Sequence, residues 1–513
     1  MREYSGLRSI WVEREMNGGT VGGKHCWNSW FEIFMTKKSE QNLKKIRAFF
    51  WGILGIFSFG MAVCAQELPV EIASEFQRAG IPEEAVGIVI QPIGLSEPKV
   101  LHNAGTVFHP ASTMKVLTTY AALELLGPSF TWQTGAYITG EVRHGILYGD
   151  LIIRGSGDPS FSQKDLWLFI RKIQDSGIRE IRGKVVLDRS VFGRINFDAS
   201  VFDDAPLKPY NAGPDGLLLN EKRIDVYFAP HGDKDEVEVV LEPRMEGITI
   251  VPPVAASSAC GDWKNGITVH FDDKIAYFEG EYPLACGIRT WAIHPYQMSD
   301  RRYFESVFVK LWRESGGVFK GQVEEGLLPA DAVLKAEWTS QELGLVVSAV
   351  NKYSNNVMAR QLLLTLGEKF YGTGATIEQG IAVIGNWLTQ KGISANGLVV
   401  ENGSGLSREE RISPLTMAEI LNAAFMSPVM PELVSSLPIA GRDGTMSKRL
   451  RDDPIAGKAH IKTGAINDVR AIAGYVLAKS GRRYLIVCMI NHPNAKAGRQ
   501  VLNRLLSWAY ENG

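Results

Sequence analysis

Residues Phe108-His-Pro-Ala-Ser112-Thr-Met-Lys115-Val-Leu-Thr-Thr-Tyr-Ala-Ala-Leu-Glu-Leu-Leu-Gly127 predict a buried helix with a candidate nucleophile at its start. Pro110 precedes the helix and Gly127 ends it, as is typical of helix termini. Apolar residues occupy nearly every face in between, so we expect the helix to lie inside a domain. Ser112 and Lys115 are polar, and a spacing of three places them on one side of the helix.

This pair of side chains suggests a specific chemistry. An amine buried among apolar groups has a lowered pKa, because desolvation disfavours its charged form. A neutral Lys115 could therefore take the proton of Ser112, and the helix N-terminus favours negative charge on that oxygen. On this motif alone, an N-cap serine and a lysine reaching to solvent stay an open alternative. A second Ser-x-x-Lys, Ser96 to Lys99, contains Pro98 and is interpreted as a turn between strands.

Length and composition limit the classes of protein to consider. A chain of 513 residues is too long for one core and predicts two or three domains. Apolar residues make up 45% and charged residues 22%, which is typical of a globular protein. The net charge of −1 and the lack of a long basic run give no reason to expect a nucleic-acid partner. No metal-ligand spacing occurs, so neither a metal nor another cofactor is expected.

The N-terminal part of the chain resembles an export signal over residues 35–65. Basic residues are followed by the uncharged run 48–65, which ends in a small-residue cleavage site before Gln66. We interpret residues 1–34 as an over-long start and expect the mature protein in the periplasm. Two alternatives stay open, an uncleaved anchor and a lipidated Cys64, so peripheral membrane association is also left open.

Three cysteines remain after such a cleavage. Cys260 and Cys286 lie in one loop-rich region, and export to an oxidising space permits a disulfide between them. Cys488 lies in the apolar run Tyr484–Ile490 and is expected to be a buried thiol on a strand.

The order of the predicted elements indicates an α/β fold that is interrupted in sequence. Strands are predicted early in the chain and again near its end, with helices between them, which suggests one sheet built from both ends. The middle of the chain is rich in short strands. The early strands are predicted at 85–94 and 99–102, and the late ones at 470–478 and 483–490. A further short strand is predicted at 397–401. The expected domains are an N-terminal extension with the signal (1–65), a first part (66–134), an insertion (135–333) and a second part (334–513).

Two later segments carry polar groups that suit the same reaction. Ser354-Asn355-Asn356 lies in a short break between predicted helices, and Lys462-Thr463-Gly464 lies on or beside an edge strand. Ser-x-x-Lys, Ser-x-Asn and Lys-Thr-Gly in this order form the signature of penicillin-interacting serine enzymes. Each triplet alone is more typical of an ordinary cap or turn, but the three motifs together, in this order and context, indicate a shared site.

A physical role is predicted for each group. Ser354 would relay a proton between Lys115 and a leaving amine, and Asn356 would donate to a substrate carbonyl while helping to hold Lys115. Lys462 and Thr463 would bind a terminal carboxylate. Gly464 would let a substrate strand approach the backbone. The backbone N–H groups of Ser112 and Ala465 would form the oxyanion hole.

Over residues 66–513 the chain resembles the class C low-molecular-mass penicillin-binding proteins, which are D-alanyl-D-alanine carboxypeptidase/endopeptidases. The resemblance implies a discontinuous serine transpeptidase/β-lactamase-like α/β domain with a β-rich insertion of two domains, one nested in the other. The segments that carry it are Phe108–Lys115, Gly155–Pro159, Lys208–Asn211, Asn351–Asn356, Glu401–Ser407, Leu437–Thr445 and Lys462–Gly464.

The implied reaction is attack by Ser112 on the D-Ala-D-Ala carbonyl of a peptidoglycan stem peptide, followed by hydrolysis of the acyl-enzyme. The endopeptidase version cuts the D-Ala–diaminopimelate cross-link, and β-lactams acylate the same serine as covalent inhibitors. The family's insertion places an aspartate near the diaminopimelate amine, for which Asp203 and Asp204 are both candidates here. The roles of Asp443 and of the segment 402–405 are left open between structure and site.

Two rival functions are considered. A serine β-lactamase shares the implied fold, and Tyr353-Ser-Asn355 matches the Tyr-x-Asn motif of one such class. The large insertion argues against it. The second rival is a catalytically silent cell-wall-binding protein, against which the intact Ser112, Lys115 and Lys462 argue.

Overall fold

Strands from both ends of the described chain form the central sheet. The structure is a computed structural model and describes residues 68–231 and 236–513. The strands of this sheet are β1 (Val86–Pro92), β2 (Val100–His102), β19 (Ala459–Ile466), β20 (Val469–Leu477) and β21 (Arg483–Asn491). They lie in the order β19-β20-β21-β1-β2, and all neighbours are antiparallel. The predicted sheet built from both ends is therefore confirmed, and β19 lies at one of its two edges.

The inner strands are buried on both faces, because helices cover each side of the sheet. In β1, Val89 faces one core cluster while Ile88 and Ile90 face the other, which is the alternation that a strand imposes. Cys488 on β21 is fully buried in the second cluster, and its predicted state as a buried free thiol is confirmed. Such strands appear in sequence as near-continuous apolar runs.

The helices divide between the two faces of this sheet and the insertion. The helix that carries Lys115 is apolar all round and lies in the first core with its neighbours, whereas the first and last helices cover the other face. The helices are α1 (Val70–Arg78), α2 (Met114–Leu126), α3 (Gln163–Asp175), α4 (Asp300–Glu314), α5 (Leu343–Tyr353), α6 (Asn356–Tyr371), α7 (Ile377–Gln390), α8 (Pro414–Phe425), α9 (Met430–Ser436) and α10 (Gly498–Asn512).

The middle of the described chain builds four further sheets. Their strands are β3 (Gln133–Ile138), β4 (Glu141–Arg143), β5 (Ile146–Tyr148), β6 (Leu151–Arg154), β7 (Glu180–Ile181), β8 (Val185–Asp188), β9 (Ile224–His231), β10 (Glu236–Glu242), β11 (Thr249–Val251), β12 (Val254–Ala256), β13 (Ile267–Phe271), β14 (Ile275–Pro283), β15 (Arg289–Ile293), β16 (Val318–Phe319), β17 (Val323–Glu325) and β18 (Val333–Thr339). The strand orders in the four sheets are β17-β8-β6-β3-β18, β16-β7-β5-β4, β10-β9-β15, and β11-β14-β12 with β13 beside β14.

This β-rich region has a core of its own. Helices α3 and α4 pack with its strands around one cluster of buried apolar side chains that is separate from both clusters of the central sheet. The antiparallel pair β3–β18 joins the point where the chain enters the region to the point where it leaves. The expected boundaries at residues 134 and 333 fall within this strand pair. Cys260 and Cys286 form the predicted disulfide.

The predicted strand at 397–401 is wrong. Only an isolated bridge between Val399 and Arg411 forms there. The backbone N–H groups of Glu401, Asn402 and Gly403 instead donate to the carboxylate of Glu410, at 3.3, 3.1 and 3.0 Å. Because these three N–H groups are taken, the pairing of Val399 with Arg411 cannot continue into a ladder from Glu401 onward.

The predicted export signal at 35–65 and the mature start at Gln66 lie outside the described residues. Within the described ranges, none of the helices is both long enough and apolar enough to cross a lipid bilayer.

Candidate active site

Ser112 lies on a single 3₁₀ turn, Ala111–Thr113, that leads directly into α2. The turn begins with strain, because Ala111 has a φ of 45°. Thr113 donates from its hydroxyl to the carbonyl of Pro110 at 2.7 Å and so closes the turn. Ser112 is only partly buried, so its hydroxyl is held at the N-terminal end of a buried helix and is still reachable.

Lys115 is fully buried, and its amine has three neighbours. The Nζ atom lies 3.0 Å from Ser112 Oγ and 2.5 Å from Asn356 Oδ1, and it also donates to the carbonyl of Ser404. Desolvation holds the pKa of Lys115 well below its usual range, and the positive charges of Lys462 and Arg360 lower it further. The lowered pKa and the contact with Ser112 agree with the sequence prediction.

The break between α5 and α6 presents the Ser-x-Asn segment. Ser354 ends α5 in the left-handed region with a φ of 58°, which turns the chain so that Asn356 begins α6. Asn355 points elsewhere: its Oδ1 accepts from the N–H of Met358 as a helix cap and its Nδ2 donates to Glu221 at 2.8 Å. Tyr353 is 77% exposed. The Tyr-x-Asn interpretation of this segment therefore has no support in the geometry.

Lys462 connects the edge strand β19 to this break. Its fully buried Nζ donates to Ser354 Oγ and to the carbonyl of Thr463, both at 2.9 Å. Desolvation by burial lowers the pKa of Lys462 to about 7. Ser112, Lys115 and Asn356 thus form one hydrogen-bonded group and Ser354 and Lys462 a second, and the short segment 354–356 connects the two along the chain.

Two glycines let the backbone segments of the site approach one another. A Cβ on Gly464 would lie 2.6 Å from the carbonyl oxygen of Pro110 and 3.2 Å from the nitrogen of Ser112. The close approach of β19 to the Ser112 turn therefore requires glycine at position 464, and Ala465 follows it on the same strand. Gly405, with a φ of 79°, similarly packs against the backbone of Ala111.

The two candidate aspartates lie on the loop before Ala212, which contacts α6. Asp203 is engaged in the loop itself: its carboxylate accepts from Tyr210 Oη and Asn211 Nδ2, each at 2.7 Å. Asp204 is exposed and has a φ of 54°. Within the described chain no hydrogen bond joins either aspartate to the groups around Ser112. The loop reaches the site through Arg360, which donates to the carbonyl of Ala212 at 2.8 Å.

Asp443, whose role the sequence left open between structure and site, stabilises the segment beside β19. It forms a salt bridge with Lys352 at 2.7 Å and accepts from the N–H of Ile439 at 2.7 Å. Two residues later, Thr445 accepts a hydrogen bond at 2.8 Å from the hydroxyl of Thr463. Thr445 was not singled out in the sequence, although the quoted segment Leu437–Thr445 ends on it.

Two buried charges beside Lys115 were also missed. Glu410 is fully buried below the 401–403 backbone, and Arg360 lies on α6 one turn after Asn356. Ser404, in the segment that the sequence left undecided, supplies its carbonyl to Lys115. Neither Glu410 nor Arg360 belongs to a motif, so only their burial identifies them.

The model of the D-Ala-D-Ala carboxypeptidase 3 (S13) family matches residues 68–511. The chain belongs to this family. The resemblance drawn from the motifs is thereby confirmed, and the protein is a serine-type D-Ala-D-Ala carboxypeptidase, a hydrolase of the cell wall.

Individual relatives cover most of the chain. D-alanyl-D-alanine carboxypeptidase DacB of Haemophilus influenzae is 25% identical over 417 residues, which are 80% of this chain and 86% of that protein. D-alanyl-D-alanine carboxypeptidase of Actinomadura sp. is 28% identical over 439 residues, 81% and 79% of the two chains.

The solved structures agree on the fold. The crystal structure of penicillin binding protein 4 (dacB) from Haemophilus influenzae superposes with a TM-score of 0.72 at 23% identity, covering 85% of this chain and 100% of that one. The crystal structure of the same protein complexed with a novel β-lactam superposes with a TM-score of 0.70 at 23% identity, covering 86% of this chain and 100% of that one. The expected fold, a discontinuous serine transpeptidase/β-lactamase-like domain with a β-rich insertion, is confirmed.

Proposed function

We propose that Ser112 is the nucleophile of this S13 enzyme and Lys115 its base. The arrangement around Lys115 is the observation that carries the proposal. A neutral amine has two N–H groups and one lone pair. Asn356 Oδ1 and the carbonyl of Ser404 can only accept, so they take the two N–H groups and leave the lone pair for the proton of Ser112.

The reaction then follows in two steps. The oxygen of Ser112 bonds to the penultimate D-Ala carbonyl carbon, its proton moves to Lys115, and the C–N bond breaks as the terminal D-Ala amine gains a proton. Ser354 would pass that proton, a role supported by its hydroxyl, which accepts a hydrogen bond from Lys462 at 2.9 Å. Water then attacks the ester, and the acid and Ser112 are released.

The remaining groups would hold the substrate. The amide nitrogen of Asn356 would donate to a substrate carbonyl, while Lys462 and Thr463 would bind the terminal carboxylate. Gly464 leaves space for an extended peptide along edge strand β19, and the N–H groups of Ser112 and Ala465 would stabilise the oxyanion. The substrate we propose is the stem peptide of peptidoglycan, and penicillins would acylate Ser112 in its place.

We also propose endopeptidase activity on the D-Ala–diaminopimelate cross-link. Asp203 or Asp204 would contact the diaminopimelate amine, and Asp204 is the freer of the two, because Asp203 accepts hydrogen bonds from its own loop. Asp204→Asn should then lower kcat/KM on a cross-linked dimer about tenfold more than on a stem peptide that lacks the free amine, whereas Asp203→Asn should destabilise the loop for both substrates. Equal losses on both substrates for Asp204→Asn would assign the contact elsewhere.

The export of the protein and its division into domains are also proposed. Cleavage of an export signal at 35–65 would release the enzyme into the periplasm, and the divisions at 66–134, 135–333 and 334–513 would be its domains. N-terminal sequencing of the protein from a periplasmic fraction tests the first point.

Labelling with a fluorescent penicillin, followed by intact mass and peptide mapping, tests the catalytic assignment. We expect one adduct, on Ser112. Ser112→Ala should abolish it and Lys115→Ala should slow it by at least a hundredfold, while Ser96→Ala, the serine of the exposed Ser-x-x-Lys decoy, should label normally.

The same experiment separates the rivals. A persistent adduct supports the peptidase, rapid turnover of penicillin would indicate a β-lactamase, and no label on the folded wild type would indicate a silent wall-binding protein. Undiminished labelling of Ser112→Ala would show that another residue is the nucleophile.

A further inference from the structure

Two opposite charges outside the three motifs are buried next to the catalytic lysine. Glu410 is 0% exposed and Arg360 is 3% exposed, and burying charges this deeply is costly unless they are compensated. The Oε2 atom of Glu410 and the Nε atom of Arg360 are both buried without a hydrogen-bond partner in the described chain. A role in packing alone does not explain two charged groups that are left incompletely bonded.

Glu410 holds the backbone segment that supplies one of the acceptors of Lys115. Its Oε1 accepts from three consecutive N–H groups, of which Gly403 is the last, and the next residue, Ser404, directs its carbonyl to the lysine amine. The hydroxyl of Thr118 on α2 donates to Gly403 at 2.7 Å and fastens the same segment to the catalytic helix. Burial raises the pKa of Glu410, whereas the three N–H groups that donate to its Oε1 favour the carboxylate form.

Arg360 approaches from the opposite element. It follows Asn356, the other fixed acceptor of Lys115, by one turn of α6, so the two side chains share a helix face. Its Nη1 donates to the carbonyls of Tyr210 and Ala212 at 3.2 and 2.8 Å, and its guanidinium lies 5.0 Å from the ring of Phe197. These contacts hold the cation in place without neutralising it.

We propose that Glu410 and Arg360 are positioning residues that act as a buried, opposed pair of charges and set the charge state of Lys115. The inference rests on the proposed role of Lys115 as base. Glu410 favours the ammonium form and Arg360 favours the neutral amine that can accept the proton of Ser112. Glu410 also fixes the Ser404 carbonyl, so it both orients the amine and limits how readily the amine loses its proton.

The electrostatic effects have opposite signs. The charged groups that act on Lys115 are Lys462 and Arg360, which lower its pKa, and Glu410, which raises it. Removing the charge of Glu410 should therefore lower the pKa of Lys115, and removing that of Arg360 should raise it. Because acylation needs the neutral amine, the acid limb of its pH profile follows the pKa of Lys115.

The test is the pH dependence of the second-order rate constant for acylation by a fluorescent penicillin. Glu410→Gln, whose amide oxygen can still accept the three N–H groups, should move the acid limb about one unit to lower pH, and Arg360→Gln about one unit to higher pH. The double variant should return the limb close to its wild-type position, because the pair is then neutral.

Thermal unfolding of each variant is measured in parallel, and Arg360→Lys serves as the control that retains the charge and should keep the wild-type limb. A merely structural role would slow acylation at every pH without moving the limb. The inference is overturned if the limb of Glu410→Gln stays in place or moves to higher pH, a result that remains decisive even if Arg360→Gln fails to fold. Absence of wild-type labelling would instead refute the proposed function.

Discussion

At the scale of single residues, the two buried lysines of the site differ in what surrounds their amines. Lys115 has three acceptors, which leaves no N–H for a ligand even when the amine is charged. Lys462 has two, Ser354 Oγ and the carbonyl of Thr463, so a charged Lys462 retains one N–H for a substrate carboxylate. A neutral Lys462 has two N–H groups and therefore none to spare. This difference suits one lysine for proton transfer and the other for anion binding.

Recognition of the carboxylate should therefore depend on pH near neutrality. The pKa of Lys462 is lowered to about 7 by burial, so the amine is charged below that pH and neutral above it. We expect kcat/KM for a peptide ending in a free carboxylate, divided by that for the same peptide ending in an amide, to fall about tenfold as pH rises through 7. Taking the ratio cancels the separate effect of Lys115.

Lys462→Arg provides the control for this prediction. A guanidinium stays charged throughout the range, so the ratio should become independent of pH, whatever the absolute rates. A wild-type ratio that is constant between pH 6 and 9 would mean that Lys462 does not bind the carboxylate.

At the scale of elements, the disulfide closes the chain around the antiparallel pair β13–β14 of the insertion. Cys260 precedes the short turn Trp263–Gly266, and Cys286 ends another after β14. The bond closes a loop of 26 residues and should stabilise the folded state by about 3 kcal/mol, through the lower entropy of the unfolded chain.

The variant Cys260→Ser/Cys286→Ser should thus lose about 3 kcal/mol of unfolding free energy in urea, while its rate of penicillin labelling at 25 °C stays within twofold of wild type. Dithiothreitol should destabilise the wild type by the same amount and leave the double variant unchanged. A large loss of labelling would contradict the assignment of this bond to the core of the insertion.

The elements also show which parts of the structure were accessible from sequence. The strands of the central sheet and the helix after Ser112 were predictable, because a buried strand or helix has an apolar pattern that depends on local sequence. The segment 397–401 has the composition of a strand, but its last N–H group, that of Glu401, donates to the side chain of Glu410, nine residues away. Glu410, Arg360 and Thr445 reach the site through tertiary contacts, and nothing in their local sequence indicates where those contacts lie.

At the scale of the whole molecule, the part that contains the proposed active site and the insertion have separate hydrophobic cores. Trp387 belongs to the cluster that surrounds the catalytic helix α2, whereas Trp312 belongs to the cluster of the insertion. Buried side chains of this size contribute several kcal/mol to the core that contains them. The insertion nevertheless lies between Lys115 and Ser354 in the sequence. The catalytic part is therefore complete only when the segments before and after the insertion pair in the central sheet.

This arrangement predicts two thermal transitions that respond differently to a ligand. Trp312→Ala should lower the transition of the insertion, and Trp387→Ala that of the catalytic part, each by roughly 3–5 kcal/mol at its own core. A penicilloyl group on the proposed nucleophile Ser112 would make its contacts only in the folded catalytic part, so it should raise that transition and leave the other within about 1 °C. Differential scanning calorimetry of both variants, with and without penicillin, measures this. If each substitution lowers a single shared transition and penicillin raises it whole, then the paired strands β3 and β18 couple the two cores into one cooperative unit, and the independence argued from the separate clusters is wrong.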